Sequence, residues 1–383
     1  MPSGHRRGKN SVRGIVRSWA YAALPSLLVL STGSAPAAPV PAAAQWPLDA
    51  RHFDASRVWP LSEGDHVTVA VVDTGVNARH PDLAGRVLPG TDLTHQAATG
   101  QVDLSDDSHG TSIAGVIAGG GGKDGAVAGL APRATVLPVR VSSGTAADPL
   151  ALAQGIVYAA RHGADVINVS MVTTTADPQL RDAVSYAVQH DIVVVAAAGN
   201  SGRAGNPVTY PAAFPGVVAV SGTTRTGTFW QTSESGPYVA LAGPAVGIYS
   251  AKSSGGHLTE DGTSYSAPYV AAAAALLRSR YPKESAGQII GRLIGTADRS
   301  ADGPRRDEHL GYGVVDPLKA LHAPEPASRA NPLLGSAAAP SGRGSATGPR
   351  RAAWTAGAVG AAGVLVAAGI VVHRRRRRAP RTR

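Results

Sequence analysis

The middle of this chain predicts an α/β fold with a mainly parallel central sheet and helices on both faces. Three observations carry that reading. Several short runs are continuously apolar and rich in β-branched residues, which is how strands read when both faces are covered. Helix-like stretches alternate with those runs. The first run also ends on a carboxylate, Asp73, and active sites in such folds lie beyond the carboxyl ends of the strands.

In chain order, strands are predicted at Val67–Asp73, Thr135–Val141, Val166–Ser170, Ile192–Ala198 and Val217–Ser221. Leu150–His162 and Pro178–His190 read as helices between them. His109 begins a helical run, HGTSIAGVIAG, whose small residues allow close packing on the sheet. Ser264 opens SYSAPYVAAAAALLRSR, an Ala-rich and buried helix, with Pro268 expected in the first turn, where no backbone donor is missed.

With 383 residues, the chain has room for one large domain or two small ones. It has no cysteine, which excludes disulfides, thiol nucleophiles and thiolate metal sites. The formal net charge of +10 belongs to the ends. Between Gln45 and His322 there are 20 Lys plus Arg against 25 Asp plus Glu, a net of −5. A nucleic-acid binder needs a basic patch on its folded module, so that class is set aside.

The termini read as addresses. Residues 1–44 form an export signal: Arg6, Arg7, Lys9, Arg13 and Arg17 precede a 12-residue apolar stretch, Trp19 to Leu30, followed by small residues. Residues 45–322 are the globular domain, residues 323–353 a flexible tether rich in Pro, Ala, Ser and Gly. Residues 354–372 are 19 residues without a charge, about one bilayer of helix. The basic tail, residues 373–383, carries seven arginines, which places that end in the cytoplasm. The expectation is a single-pass protein of the cell membrane with its globular domain outside.

Three blocks carry the chemistry: Val71-Val72-Asp73-Thr74-Gly75, His109-Gly110-Thr111-Ser112 and Gly262-Thr263-Ser264-Tyr265-Ser266-Ala267-Pro268. A serine hydroxyl attacks a carbonyl only if an imidazole takes its proton and a buried carboxylate fixes that imidazole's tautomer. Taken singly, each block has a plain reading as a strand end, a helix start or an N-cap. Their joint occurrence in the order Asp, His, Ser points to a nucleophile, base and orienter set. Acyl transfer also needs oxyanion donors. The Ser264 N–H is one, and the side-chain amide of Asn200, in Ala198-Gly199-Asn200-Ser201-Gly202, is the second candidate.

These blocks, with AAAGN and His80-Pro81-Asp82-Leu83, resemble a subtilisin-like serine protease (subtilase) from about Trp59 to His322. The signal and the C-terminal hydrophobic segment with its basic tail are similar to those of the mycosins, membrane-anchored subtilases that accompany type VII secretion in actinobacteria. The phrases GADVINVS and GYGVVDP look like that branch. The resemblance implies a subtilisin-like three-layer fold, a protein or peptide substrate and a type VII secretion complex as partner. It implies that Ser170, Met171 and Val172 pair with substrate backbone, and that Ala197, Ala198 and Gly199 wall the pocket for the residue before the scissile bond. Core packing is the other reading of those six. Three departures stand out: Val172 where glycine is frequent, Ser266 where alanine is usual, and no cysteines where mycosins commonly have them.

About 30 residues separate the signal from Asp73, too few for an independent prodomain core. Residues 45–62 are therefore expected to pack on the domain as an extension. Gly119–Lys123 is not a phosphate loop, because Ile117 stands where its first glycine belongs and no Ser or Thr follows the lysine. No cofactor is called for, and the histidines show no metal-ligand spacing. The acidic loop Asp103–Asp107 offers carboxylates of the kind calcium takes, without a specific pattern. Two functions compete: a membrane-tethered serine endopeptidase, and an architectural subunit of a secretion complex with little or selective proteolysis.

Overall fold

The computed structural model describes residues 41–122, 125–144, 147–299 and 306–335. Residues 1–40 of the expected export signal 1–44, the expected hydrophobic segment 354–372 and the basic tail 373–383 lie outside these residues. Among the described residues no helix is long and apolar enough to cross a membrane.

The chain opens with a short helix, α1 (Ala55–Val58), and enters the sheet at β1 (Thr68–Asp73). It continues through β2 (Thr91–Asp92), α2 (His109–Ala118), β3 (Thr135–Arg140), α3 (Pro149–Arg161), β4 (Val166–Val169) and α4 (Pro178–Gln189). Then come β5 (Val193–Ala197), β6 (Val218–Thr223) and β7 (Val239–Pro244), a hairpin of β8 (Ile248–Ala251) and β9 (His257–Glu260), and the helices α5 (Thr263–Arg280), α6 (Ala286–Gly295) and α7 (Pro317–His322).

Seven strands form one sheet in the order β2-β3-β1-β4-β5-β6-β7, and every pairing in it is parallel. The alternation within β1 explains its unbroken apolar run. Val69 and Val71 enter the core under α2, α5 and α6, while Ala70 and Val72 enter the core under α3 and α4. The chain starts at the centre of the sheet, builds out to β2, and crosses over β1 to begin the other half at β4. That reversal opens a crevice at the carboxyl ends of β1 and β4.

Helix starts follow their caps. Asp148 accepts from Leu150 N and Ala151 N before Pro149 at the first position, and Asp177 does the same for Gln179 N and Leu180 N before Pro178. Pro268 corrects the expectation. Helix α5 begins at Thr263, so Pro268 sits in the second turn and denies Ser264 O its helical donor. The Ser170 hydroxyl supplies the missing bond, donating to Ser264 O at 2.9 Å.

Two further segments are packed where composition alone is ambiguous. The extension 45–62 buries Trp46, Leu48, Phe53, Val58 and Trp59 in the main core. Its Gln45 side chain brackets Ala128, donating to its carbonyl at 2.7 Å and accepting from its N–H at 2.9 Å. Of the expected tether 323–353, only residues 323–335 are described, and these are packed on the domain. Residues 323–335 form a strap in which Arg329 O accepts from Ser285 Oγ, Asn331 Nδ2 donates to Gly216 O, and Leu333 is buried. Extended Pro- and Ala-rich chain needs only a few such anchors to be held.

Candidate active site

Asp73 ends β1 and is fully buried. Its Oδ1 accepts from Thr74 N at 2.8 Å and from His109 Nδ1 at 2.7 Å, while Oδ2 has no protein partner. His109 is the first residue of α2. The loop after β1 is laced to that helix start: Thr74 Oγ1 accepts from Gly110 N and donates to Asp103 Oδ1, and Thr111 Oγ1 donates to Asp103 Oδ2. Only glycine fits at 110, because a Cβ there would lie 2.1 Å from Gly75 O.

This lacing accounts for Asp103. Its two oxygens accept from Thr74, Ser105 and Thr111, so it knots the loop after β1 to the start of α2. The sequence marked Asp103 only as one of the acidic loop's carboxylates and gave Thr74 and Ser105 no role, since nothing local marks two loops that meet across the site.

Electrostatics set the imidazole's task. Burial pushes the His109 pKa down, but the Asp73 charge and hydrogen bond, with Asp107 and Asp103 nearby, more than offset it and raise the value to about 8.

Ser264, the second residue of α5, shares one cleft with His109, Ser170, Val172, Gly199 and Asn200. The cleft encloses about 270 Å³. Ser264 Oγ donates to Ser170 O at 3.0 Å, so Ser170 and Ser264 exchange reciprocal bonds. No hydrogen bond joins Ser264 to His109 among the described residues. Asn200 is oriented by its own carbonyl: Oδ1 accepts from Thr263 N and Thr263 Oγ1, both at 2.9 Å. That leaves the Nδ2 hydrogens for the cleft. Ser264 N lies in the first turn of α5, where backbone donors have no intrahelical partner.

Of the six predicted substrate-contacting residues, Ser170, Val172 and Gly199 line the cleft. Met171, Ala197 and Ala198 do not; their side chains are buried in the core, leaving only backbone for a substrate. Gly199 has φ +111°, and a Cβ there would strike the carboxylate of Glu234 at 2.4 Å. Glu234 is buried with Oε2 unpartnered, and burial raises its pKa. Asp107, Glu260 and Asp261 also line the cleft, giving it three carboxylates and neither lysine nor arginine. Glu260 and Asp261 were visible beside the nucleophile block, but their facing was not.

The sequence model of the Subtilase family matches residues 64–313. Thermitase from Thermoactinomyces vulgaris is 38% identical over 248 residues, 64% of this chain and 86% of its own length. Mycosin-3 from Mycobacterium tuberculosis is 34% identical over an alignment spanning 84% of this chain and 82% of that protein. Among solved structures, a serine protease MycP1, described as an essential component of the type VII (ESX-1) secretion system, superposes with a TM-score of 0.63. It is 34% identical, over 73% of this chain and 88% of that one.

Proposed function

The chain belongs to the subtilase family and is a serine protease, and we propose that Ser264, His109 and Asp73 carry its catalysis in an exported, membrane-tethered endopeptidase acting with a type VII secretion system. The observation that supports this best is convergence. A buried carboxylate holds one imidazole nitrogen at 2.7 Å, and that imidazole shares a cleft with a helix-start serine and an oriented amide.

In this mechanism the Ser264 hydroxyl leaves Ser170 O and turns to His109 Nε2. The imidazole takes the proton as the oxygen bonds to the scissile carbonyl carbon. The carbonyl π pair becomes an oxyanion, which receives hydrogen bonds from Asn200 Nδ2 and Ser264 N. Asp73 stabilises the imidazolium. His109 then gives its proton to the departing amine, the C–N bond breaks, and an acyl-Ser264 remains. Water repeats the sequence and releases the acid.

His109 acts as a base only when neutral. With its pKa raised to about 8, kcat/KM should rise with pH and reach half its plateau near pH 8. A peptide assay from pH 6 to 10 checks this, and a half-point below 7 would contradict it. The three cleft carboxylates favour cationic substrate segments. Peptides with Lys or Arg flanking the scissile bond should be cleaved faster than the same peptides with Asp or Glu, and the ratio should shrink at high salt. No charge preference would count against that reading.

The uncharged segment 354–372 and the arginine tail support the tether, with the protease domain outside and the C-terminus in the cytoplasm. Protease protection of the tail in intact cells tests it. The mycosin likeness and the role described for MycP1 support the secretion setting. A second reading, an architectural subunit with selective proteolysis, draws on Val172 in the cleft wall and on the Ser264 hydroxyl being engaged by Ser170. Equal rescue of a secretion defect by wild type and by Ser264→Ala would favour it; rescue by wild type alone would discard it.

A further inference from the structure

We propose that His80, Asp82 and His257 form a binding site for a divalent transition-metal ion, zinc by their chemistry, outside the catalytic cleft. His80 and Asp82 flank Pro81 in the short 3₁₀ turn Pro81–Leu83, and His257 opens β9. Residues 82 and 257 are 175 apart in the chain, which is why no ligand spacing appears in the sequence.

The three candidate ligand atoms all lie within 4.8 Å of one another. Asp82 Oδ2 is 2.9 Å from His257 Nε2 and 3.9 Å from His80 Nδ1. Tetrahedral zinc with bonds of about 2.0–2.1 Å sets its ligands roughly 3.3 Å apart. The two separations from Asp82 bracket that value and the imidazole pair lies within 4.8 Å, so metal entry needs shifts of up to about 1.5 Å.

The surroundings prepare two of the ligands. His80 Nε2 faces Gly256 O at 2.9 Å and must carry the proton there, so Nδ1 presents a lone pair. That is the usual device by which a backbone carbonyl fixes a metal-binding tautomer. Asp82 Oδ2 is held by Val127 N at 2.9 Å. That lone pair accepts from Asp82 N at 3.2 Å, a bond that an entering metal would displace, and it lies 3.9 Å from Asp82 Oδ2. His80 and Asp82 are 2% and 8% exposed, whereas His257 is 24% exposed and gives an entry path. Two imidazoles and one carboxylate without thiolate suit zinc and its neighbours better than calcium, which takes six or more oxygens. Three protein ligands leave a fourth position for water.

The ion would fasten the β8–β9 hairpin to the turn that follows β1. Because β9 leads directly to Thr263 and Ser264, the staple would hold the approach to the nucleophile.

The test uses the full-length chain without a histidine tag, stripped with a chelator and titrated with Zn²⁺ alone by calorimetry, with melting curves alongside. The expected result is one equivalent bound at micromolar Kd or tighter and a raised Tm. His257→Gln keeps a hydrogen-bond donor for Asp82 but is a poor ligand, so it should fold, bind Zn²⁺ at least tenfold more weakly and lose the Tm rise. The proposal is overturned if the wild type fails to bind Zn²⁺, if His257→Gln binds equally, or if Ca²⁺ but not Zn²⁺ raises Tm.

Discussion

Replacing Ser264 with alanine should lower kcat for a cleavable peptide by about 10⁶-fold, leaving KM and folding nearly unchanged. That magnitude is the one found for the triad of subtilisin, a relative of this chain, where the residual rate comes from oxyanion donors and binding. The structural cost is small. The lost hydroxyl donates only to Ser170 O, and the other half of that pair, Ser170 Oγ to Ser264 O, uses backbone that alanine retains. Single-turnover kinetics with matched circular dichroism separates lost chemistry from lost fold. A folded Ser264→Ala protein within tenfold of wild type would remove Ser264 from the reaction.

Asp73→Asn should lower the plateau rate by about 10⁴-fold. Asn is nearly isosteric, but it replaces a charge that accepts from His109 Nδ1 with a neutral amide, so the tautomer is no longer enforced. The change also carries a pH signature. Burial pushes the His109 pKa down, and the Asp73 charge and hydrogen bond are the main causes raising it to about 8. Without them, the half-point of the pH profile should move well below 8, toward acid. A large rate loss with an unmoved half-point would mean that Asp73 acts by geometry alone.

Much of this was legible because the chemistry needs fixed residue types beside strong local signals. The runs at β1, β3, β4, β5 and β6 are continuous and β-branched, and the observed ends differ from the predicted ones by a residue or two. Strand β7 was not read, because alanines and the closing Gly243-Pro244 dilute the β-branched signal, and its burial comes from neighbours distant in sequence. Helix α6 was also passed over, although Ser285 and Gln288 form a capping box that the sequence displays.

What stayed hidden was long-range. The Asp103 knot joins loops on either side of the site, and Ser170 completes a bond that Pro268 removes from a helix far along the chain. The strap at 323–335 reads as tether by composition and is held by single anchors such as Leu333. Asp73, His109, Ser264 and Asn200 were legible, and with them the pairing of Asp73 with His109; the Thr263 anchor that aims Asn200 was not.

The most direct measurement is labelling of the folded full-length chain with a fluorophosphonate, which reacts with a serine only when base and oxyanion donors are assembled around it. The expected result is one covalent adduct on Ser264, absent in Ser264→Ala and strongly reduced in His109→Ala. A folded wild-type protein that takes no label, or a Ser264→Ala variant that takes as much, would contradict the triad.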